Sequence, residues 1–209
     1  MGELHPNKTA KVRFMFQNST YIGLKEWAVT IGALGRGDQI LMLRKGGIRE
    51  DGRHFNIEHK QFLMYPGLFH EGKLLLKPEH QRLLTETADA DFSKKVSFSV
   101  FCELVETIEI SEEHQVHTLD AFHIWSKEFP VKRFNWKPRH PLKLMIVRAY
   151  RLDSPVTVNV TDEYSGCKSW VELTDAIDLT NLTPALPSAE FTALRSSIHK
   201  ALAAVPANT

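Results

Sequence analysis

The stretch from Val96 to Ile110, VSFSVFCELVETIEI, carries the clearest structural signal in the sequence. Its apolar and polar side chains alternate with a period of two, which is typical of a strand with one buried face. Phe101 and Val105 interrupt the polar face, and Glu106 interrupts the apolar one. A straight strand of this length would span roughly 50 Å. We therefore expect it to bend or bulge, as strands do where a small sheet curls into a barrel.

Weaker patterns on both sides of this strand place the remaining elements. Apolar residues at helical spacing predict a helix over residues 24–34 and another over residues 189–204, with Ser188 as its cap. Shorter patterns predict strands over 39–43, 61–65, 142–152, 155–160 and 167–173, and helices over 77–88 and 112–121. Strands fill the middle of the chain, so the pattern predicts an α+β fold. We expect a curled mixed or antiparallel sheet flanked by N- and C-terminal helices.

Length and composition fit one domain, because 209 residues with 43% hydrophobic side chains can bury a substantial core. We expect an arm over residues 1–20, an α+β domain over 21–175, and a loop and helix over 176–209 that pack on it. No apolar run reaches the roughly 18 residues of a membrane helix, and the start lacks a signal-peptide core, which favours a cytoplasmic protein without membrane contact. Of the two cysteines, Cys102 is expected to be a buried thiol.

Charge is segregated along the chain, although the net charge is only +1. Residues 96–126 contain six acidic side chains and no Lys or Arg, whereas residues 127–151 contain eight Lys or Arg side chains and one acid, Glu128. The two segments either neutralise each other across neighbouring strands, or the basic one forms a surface for phosphates. A third alternative is that the acidic segment docks a basic protein partner.

The turn Arg44-Lys45-Gly46-Gly47 follows a predicted strand and is a candidate anion site. Two glycines permit positive φ, so that successive amides can point at one oxyanion while the cations supply charge. An ordinary hairpin turn would use the same residues. No Lys-Ser or Lys-Thr follows to open a helix, so the turn is not the phosphate loop of a nucleotide hydrolase.

Aromatic rings alternate with cations in Arg133-Phe134-Asn135-Trp136-Lys137-Pro138-Arg139. Such rings can stack on bases while the cations pair with phosphates, each stack contributing about 1 to 3 kcal/mol. Alternatively, the rings anchor the core beneath a Pro-rich loop. We predict a non-enzymatic domain that binds DNA or RNA, as a sensor of modified bases, and that needs no cofactor. Its candidate binding residues are Arg44, Lys45, Gly46, Gly47, Arg133, Trp136, Lys137 and Arg139.

A nuclease is the alternative enzymatic hypothesis. Asp38 precedes one predicted strand, and Glu58 and Lys60 lead into the next, in an order that resembles restriction-endonuclease-like sites. There, two carboxylates hold Mg²⁺ and a lysine steadies the attacked phosphate or the water. Ten histidines also raise the question of a metal, but only His114 and His117 have tight pair spacing, and no cysteine lies nearby. We therefore expect no metal site.

Five short blocks, taken together, resemble a bacterial family catalogued as domain of unknown function 1802. The likeness covers about residues 22 to 160, and its blocks are Leu24–Val29, Leu43–Ile48, Phe62–Pro66, His123–Trp125 and Val147–Leu152. The resemblance implies a role in DNA restriction or in sensing modification, because some members are joined to restriction-endonuclease-like domains. A curled sheet with a Lys-Gly-Gly turn and a Trp-rich wall is also similar, at the level of the fold, to the PUA-like barrels that bind RNA or modified bases.

Overall fold

The computed structural model describes residues 18–45, 57–68, 75–87, 90–164, 166 and 168–204. These residues form seven strands and five α-helices, with short 3-10 helices at Pro78–His80, Asp120–Phe122 and Asp162–Tyr164. The strands are β1 (Ser19–Trp27), β2 (Leu41–Arg44), β3 (Gln61–Gly67), β4 (Lys95–Ile110), β5 (Leu142–Asn159), β6 (Trp170–Asp178) and β7 (Leu182–Pro184). The helices are α1 (Ala28–Arg36), α2 (Arg82–Thr87), α3 (Glu113–Thr118), α4 (Glu128–Asn135) and α5 (Ser188–Ala203). The predicted α+β class is confirmed.

All seven strands join one mixed sheet with the order β2-β5-β4-β3-β1-β6, and β7 pairs with β5. β1 and β3 run parallel, whereas every other pair in the described chain is antiparallel. The sheet is open in this part of the chain, since β2 and β6 end the order of strands. The long antiparallel pair of β4 and β5 lies inside the sheet, between β2 and β3.

β4 carries the irregularities that its length predicts. Its register against β5 shifts between Phe98 and Val100 and again between Leu104 and Glu106. The second shift accounts for two of the exceptions to the alternating pattern, because it leaves Val105 37% exposed and turns Glu106 toward α5. The predicted bulge is confirmed, and it re-aims side chains as bulges commonly do.

The prediction of a helix over residues 24–34 is wrong in its first part. The segment up to Trp27 is β1, which pairs with β3 on one side and with β6 on the other, and α1 begins only at Ala28. Pairing along both edges outweighs the helical spacing of the apolar residues. α1 ends at Gly37, whose φ is 79°, and a Cβ there would lie 2.6 Å from the side chain of Leu186. Only glycine fits this position.

The segment expected to be a Pro-rich loop contains α4. Pro130 lies in the first turn of this helix, where its missing N–H removes no hydrogen bond. The two strands predicted over 142–152 and 155–160 are one strand, β5, but the predicted break coincides with a register shift. Ser188 does not cap α5 as predicted; it is the first helical residue, and its Oγ accepts a hydrogen bond from Arg148 at 2.8 Å.

The core lies on both faces of the sheet. α1, α4 and α5 bury apolar side chains against one face, around the fully buried ring of Trp125. The predicted stripe of α5 is confirmed, since Phe191 and Ile198 are buried and Leu194 and Leu202 pack beside them. Cys102 is also fully buried, as predicted. Within the described residues, no helix combines the length and apolarity that crossing a bilayer requires.

Candidate nucleic-acid interface

Arg44, at the end of β2, is a buried cation with a partner inside the protein. Its side chain is only 11% exposed, and Nη1 donates hydrogen bonds to Oε2 of Glu26 and to the Lys25 carbonyl, both at 3.1 Å. The other carboxylate oxygen of Glu26 accepts the Trp27 backbone N–H at 2.8 Å. A phosphate would have to displace Glu26 to reach this guanidinium.

Lys45 connects β2 to α4. Its ammonium donates a hydrogen bond to the carbonyl of Phe134, in the last turn of α4, and lies 5.2 Å from the centroid of the Phe134 ring. Burial lowers the pKa of Lys45. The cation satisfies one of the carbonyls that a helix leaves unpaired at its C-terminus. The structure thus brings the strand end and the aromatic-basic segment into contact, while Gly46 and Gly47 lie outside the described residues.

Arg133 stacks on rings rather than extending from the surface. Its guanidinium lies 5.7 Å from the Trp27 ring centroid and 5.8 Å from that of Phe129, and these two rings pack edge to face. A guanidinium over aromatic faces gains cation–π attraction and shields the rings from water. The contact fixes α4 against the end of β1.

Trp136, Lys137 and Arg139 form the turn that follows α4. Trp136 is partly exposed and its ring centroid lies 4.8 Å from the ammonium of Lys137, while Arg139 is exposed. Lys137 has φ of 50°, and no other non-glycine among the described residues has a positive φ. This conformation costs a non-glycine residue roughly 1 to 2 kcal/mol, and it makes the turn tight. The turn therefore carries a partly exposed ring with a cation over it, and an exposed arginine three residues after the ring.

The charge segments behave differently in different parts of the fold. In β5, Lys143 stands opposite Glu109 of β4 and Arg148 stands opposite Glu103, so each of these cations faces an acid on the neighbouring strand. In α4 and the turn after it, Lys132 and Arg139 are exposed. One part of the basic segment thus faces acids across the sheet, and another part lies exposed on α4 and the turn after it.

The acidic segment has partners within the chain. Oε2 of Glu106 lies 2.7 Å from Arg195 and 2.9 Å from His199, both on α5. Burial alone would raise the pKa of Glu106, but the hydrogen bonds from these two side chains lower it overall. Farther along, Glu112 contacts His114 at 3.0 Å. These contacts leave less acidic surface for a basic protein partner than the sequence indicated.

The topology separates the residues of the nuclease hypothesis. Backbone hydrogen bonds and strand pairs form a row across the sheet, in the order Lys60, Leu104, Val147 and Ile40. The row spans three strand spacings, or about 14 Å. Along the chain, Asp38 comes two residues before Ile40, and Glu58 comes two residues before Lys60. The Asp38 carboxylate pairs with Arg36 at 2.9 Å. Two ligands of one Mg²⁺ would each have to lie within about 2.1 Å of the ion.

No group of three or more His, Cys, Asp or Glu side chains within the described ranges is close enough to hold a metal ion. Cys102 is fully buried, and desolvation raises the pKa of its thiol, so that the reactive thiolate is disfavoured. His54, His70 and Cys167 lie outside the described residues.

A polar cavity of about 130 Å³ lies between α3 and the start of α4. It is lined by Val116, His117, Asp120, His123, Lys127 and Pro130. The sequence pattern indicated His117 only through its tight spacing with His114. What it could not show is that His117 and His123 line one cavity together with residues at the start of α4.

Comparison with known proteins places the chain in a family. The profile of a domain of unknown function, DUF1802, matches residues 23–197, from β1 to the last turns of α5. The chain belongs to the DUF1802 family. The sequence resemblance is thereby confirmed, and the match extends beyond the blocks that carried it. No curated protein matches this DUF1802 chain at a significant level.

One solved structure is similar to this DUF1802 domain. It is a crystal structure of a mutant of the ZmASCH protein from Zymomonas mobilis, with 12% sequence identity and a TM-score of 0.38. The match covers 87% of this chain and 98% of that chain.

Proposed function

We propose that this chain is a cytoplasmic, non-enzymatic domain that binds nucleic acid, as a sensor of modified DNA or RNA. The observation that carries the proposal is the surface formed by α4 and the turn after it. Lys127, Lys132 and Arg139 are exposed along α4 and the turn after it, Trp136 is partly exposed in that turn, and Glu128 is the one acid among residues 127–151. We call this surface the α4 face. Cations beside an accessible ring are the combination that single strands require.

The predicted binding residues take two different roles in this proposal. Lys137 and Arg139 contact phosphates, and Trp136 stacks on a base. Arg44, Lys45 and Arg133 support them from inside, because each is engaged by groups of the protein itself. Gly46 and Gly47 remain candidates for amide contacts to an adjoining phosphate.

The position of Lys45 supports anion binding at this end of α4. The C-terminus of a helix carries partial negative charge, which repels phosphates. The Lys45 ammonium on the Phe134 carbonyl offsets that charge where Trp136 and Arg139 begin the turn. Lys45 thereby assists the α4 face without contacting the ligand.

The test is the affinity for a single strand of roughly 12 nucleotides over a salt series, measured by fluorescence anisotropy. If about three phosphates are neutralised, the logarithm of the association constant should fall with the logarithm of salt with a slope of about −2. Arg139→Gln should reduce the magnitude of this slope by about 0.7. Lys143→Gln is the matched control, because this cation stands opposite Glu109, and it should change the slope less.

Trp136→Ala separates stacking from charge. It should weaken binding of the single strand by about 5- to 150-fold, the loss of one stacked base, with the salt slope unchanged. Tyr21→Ala removes another exposed ring, 48% exposed on β1, and should leave the affinity as it is. The proposal fails if the chain binds no oligonucleotide even at low ionic strength.

A further inference from the structure

Lys137 combines a strained backbone with a side chain that lies on the neighbouring ring. Its φ is 50°, and its carbonyl accepts a hydrogen bond from the His140 N–H at 2.9 Å. On the other side, the Trp136 N–H donates to the Lys132 carbonyl at 3.0 Å, where α4 ends. The residues on both sides thus hold Lys137 in a conformation that glycine adopts without steric cost.

The contact between the Lys137 ammonium and the Trp136 ring does not by itself account for this strain. At a partly exposed site, the attraction of an ammonium for an indole is no larger than the cost of a positive φ in a non-glycine residue. Strained residues that a fold retains cluster at ligand clamps and switch regions. The backbone of Lys137 therefore directs attention to what its side chain does in binding.

The ammonium occupies space that a stacked base needs. Aromatic rings that pack on each other have their centroids about 4.5 to 7 Å apart. The Lys137 ammonium lies 4.8 Å from the Trp136 centroid, which is within this range. One face of the ring cannot hold the ammonium and a base together, so a base that stacks there has to displace the ammonium.

We propose that Lys137 is a specificity-determining residue, which covers the stacking face of Trp136 in the free chain and leaves it for a phosphate when a base stacks. In a strand, the ammonium exchanges the ring for a charge-assisted hydrogen bond to a phosphate beside the stacked base. A nucleoside has no phosphate, so its base displaces the ammonium without supplying a new partner. The ring therefore accepts nucleotides and discriminates against nucleosides. This inference rests on the proposed nucleic-acid function and adds how its stacking residue selects the ligand.

The first experiment removes the ammonium and retains the turn. Lys137→Gly keeps the positive φ without strain, and Lys137→Asn keeps it with an uncharged side chain that tolerates this conformation. Adenosine is titrated into each variant and into the unmodified chain, and its affinity is measured from the NMR shifts of the Trp136 indole. Both variants should bind adenosine about 2- to 5-fold more tightly, which corresponds to one exposed cation–π contact that no longer has to be broken.

The second experiment measures the affinity of the same variants for a single strand of roughly 12 nucleotides over a salt series. Both should bind the strand more weakly, with the magnitude of the salt slope reduced by about 0.7, because one phosphate contact is lost. The effects on adenosine and on the strand have opposite signs, which a defect in folding would not produce. Arg139→Gln is the control: it is assigned to phosphate alone, so it should weaken the strand and leave the affinity for adenosine unchanged.

Two outcomes overturn the inference and leave the proposed function intact, provided that the strand still binds with salt dependence. One is an affinity of the two Lys137 variants for adenosine that is equal to or weaker than that of the unmodified chain. The other is no detectable adenosine on either variant, because an uncovered ring should stack a base. Failure of every form of the chain to bind the strand would instead contradict the proposed function, and the inference with it.

Discussion

Arg44 illustrates how burial decides the role of a single charge. With Glu26 it forms an ion pair whose side chains are 11% and 7% exposed. Removing one member leaves the other charge buried without compensation, which typically costs 3 to 5 kcal/mol. Replacing both by apolar residues of similar size is often close to neutral. The pair is therefore costly to break although it need not be strongly stabilising.

We predict that Arg44→Ala lowers the free energy of unfolding by about 3 to 5 kcal/mol, measured by urea denaturation. The double variant Glu26→Leu with Arg44→Met should recover most of this loss. Its affinity for a single strand should equal that of the unmodified chain, because Arg44 supports the site without contacting phosphate. A stable double variant that has lost binding would instead assign Arg44 a direct contact.

His123 gives stability a defined dependence on pH. In the folded chain its pKa is lowered to about 4, mainly by burial, whereas an ordinary histidine has a value of 6.5. Between these values the unfolded chain binds a proton that the folded chain does not, so stability falls as the pH is lowered. The full effect is about 3 kcal/mol, complete only below pH 4.

We therefore predict that His123→Gln flattens the decline in unfolding free energy between pH about 7 and pH about 4, measured by urea titration at each pH. His114→Gln is the control, since this ring is only partly buried and contacts Glu112. It should leave the decline largely unchanged. Equal declines in His123→Gln and in the unmodified chain would contradict the prediction.

At the scale of the element, α5 shows which kind of contact attaches a helix to the sheet. It makes an ionic contact to Glu106 through Arg195 and His199, and an apolar contact through Phe191 and Ile198. The ionic side chains are 25% to 44% exposed, and such pairs contribute at most about 1 kcal/mol. The apolar side chains are almost completely buried.

We predict that Ile198→Ala costs about 2 to 5 kcal/mol of unfolding free energy, whereas Glu106→Gln costs about 1 kcal/mol or less. Chemical denaturation of the two variants at low and high salt measures both. Only the effect of Glu106→Gln should shrink as salt rises. A larger loss for Glu106→Gln than for Ile198→Ala would show that the ionic contact dominates.

Elements were predictable from the sequence where a local pattern and the tertiary environment agree. The alternation in β4 predicted both the strand and its bulge, and the stripe of α5 predicted its buried face. The prediction of a helix at β1 was wrong because pairing with two neighbouring strands outweighs helical spacing. The prediction of a loop at α4 was wrong because Pro130 does not disrupt the first turn of a helix. The three-residue β7 is too short to leave a periodic pattern.

At the scale of the whole molecule, the order of strands decides which candidate residues meet. Placing β2 beside β5 brings Lys45 to the end of α4, and placing β3 three strands away separates Glu58 from Asp38. Pairing β4 with β5 sets the acidic segment against part of the basic one. None of these distances follows from positions along the chain.

The α+β class, the family, the segregation of charge and the burial of Cys102 all followed from the order of the amino acids. The class, the charge segregation and the buried thiol depend on composition and local periodicity, and the family depends on five short sequence blocks, all of which a linear chain expresses directly. Three-dimensional packing was needed to establish that Arg44 and Lys45 turn inward, that Arg133 stacks on rings, and that His123 and Asp120 line one cavity. Each of these outcomes depends on which distant groups pack together, and burial then determines whether a charge pairs inside the protein or stays at the surface.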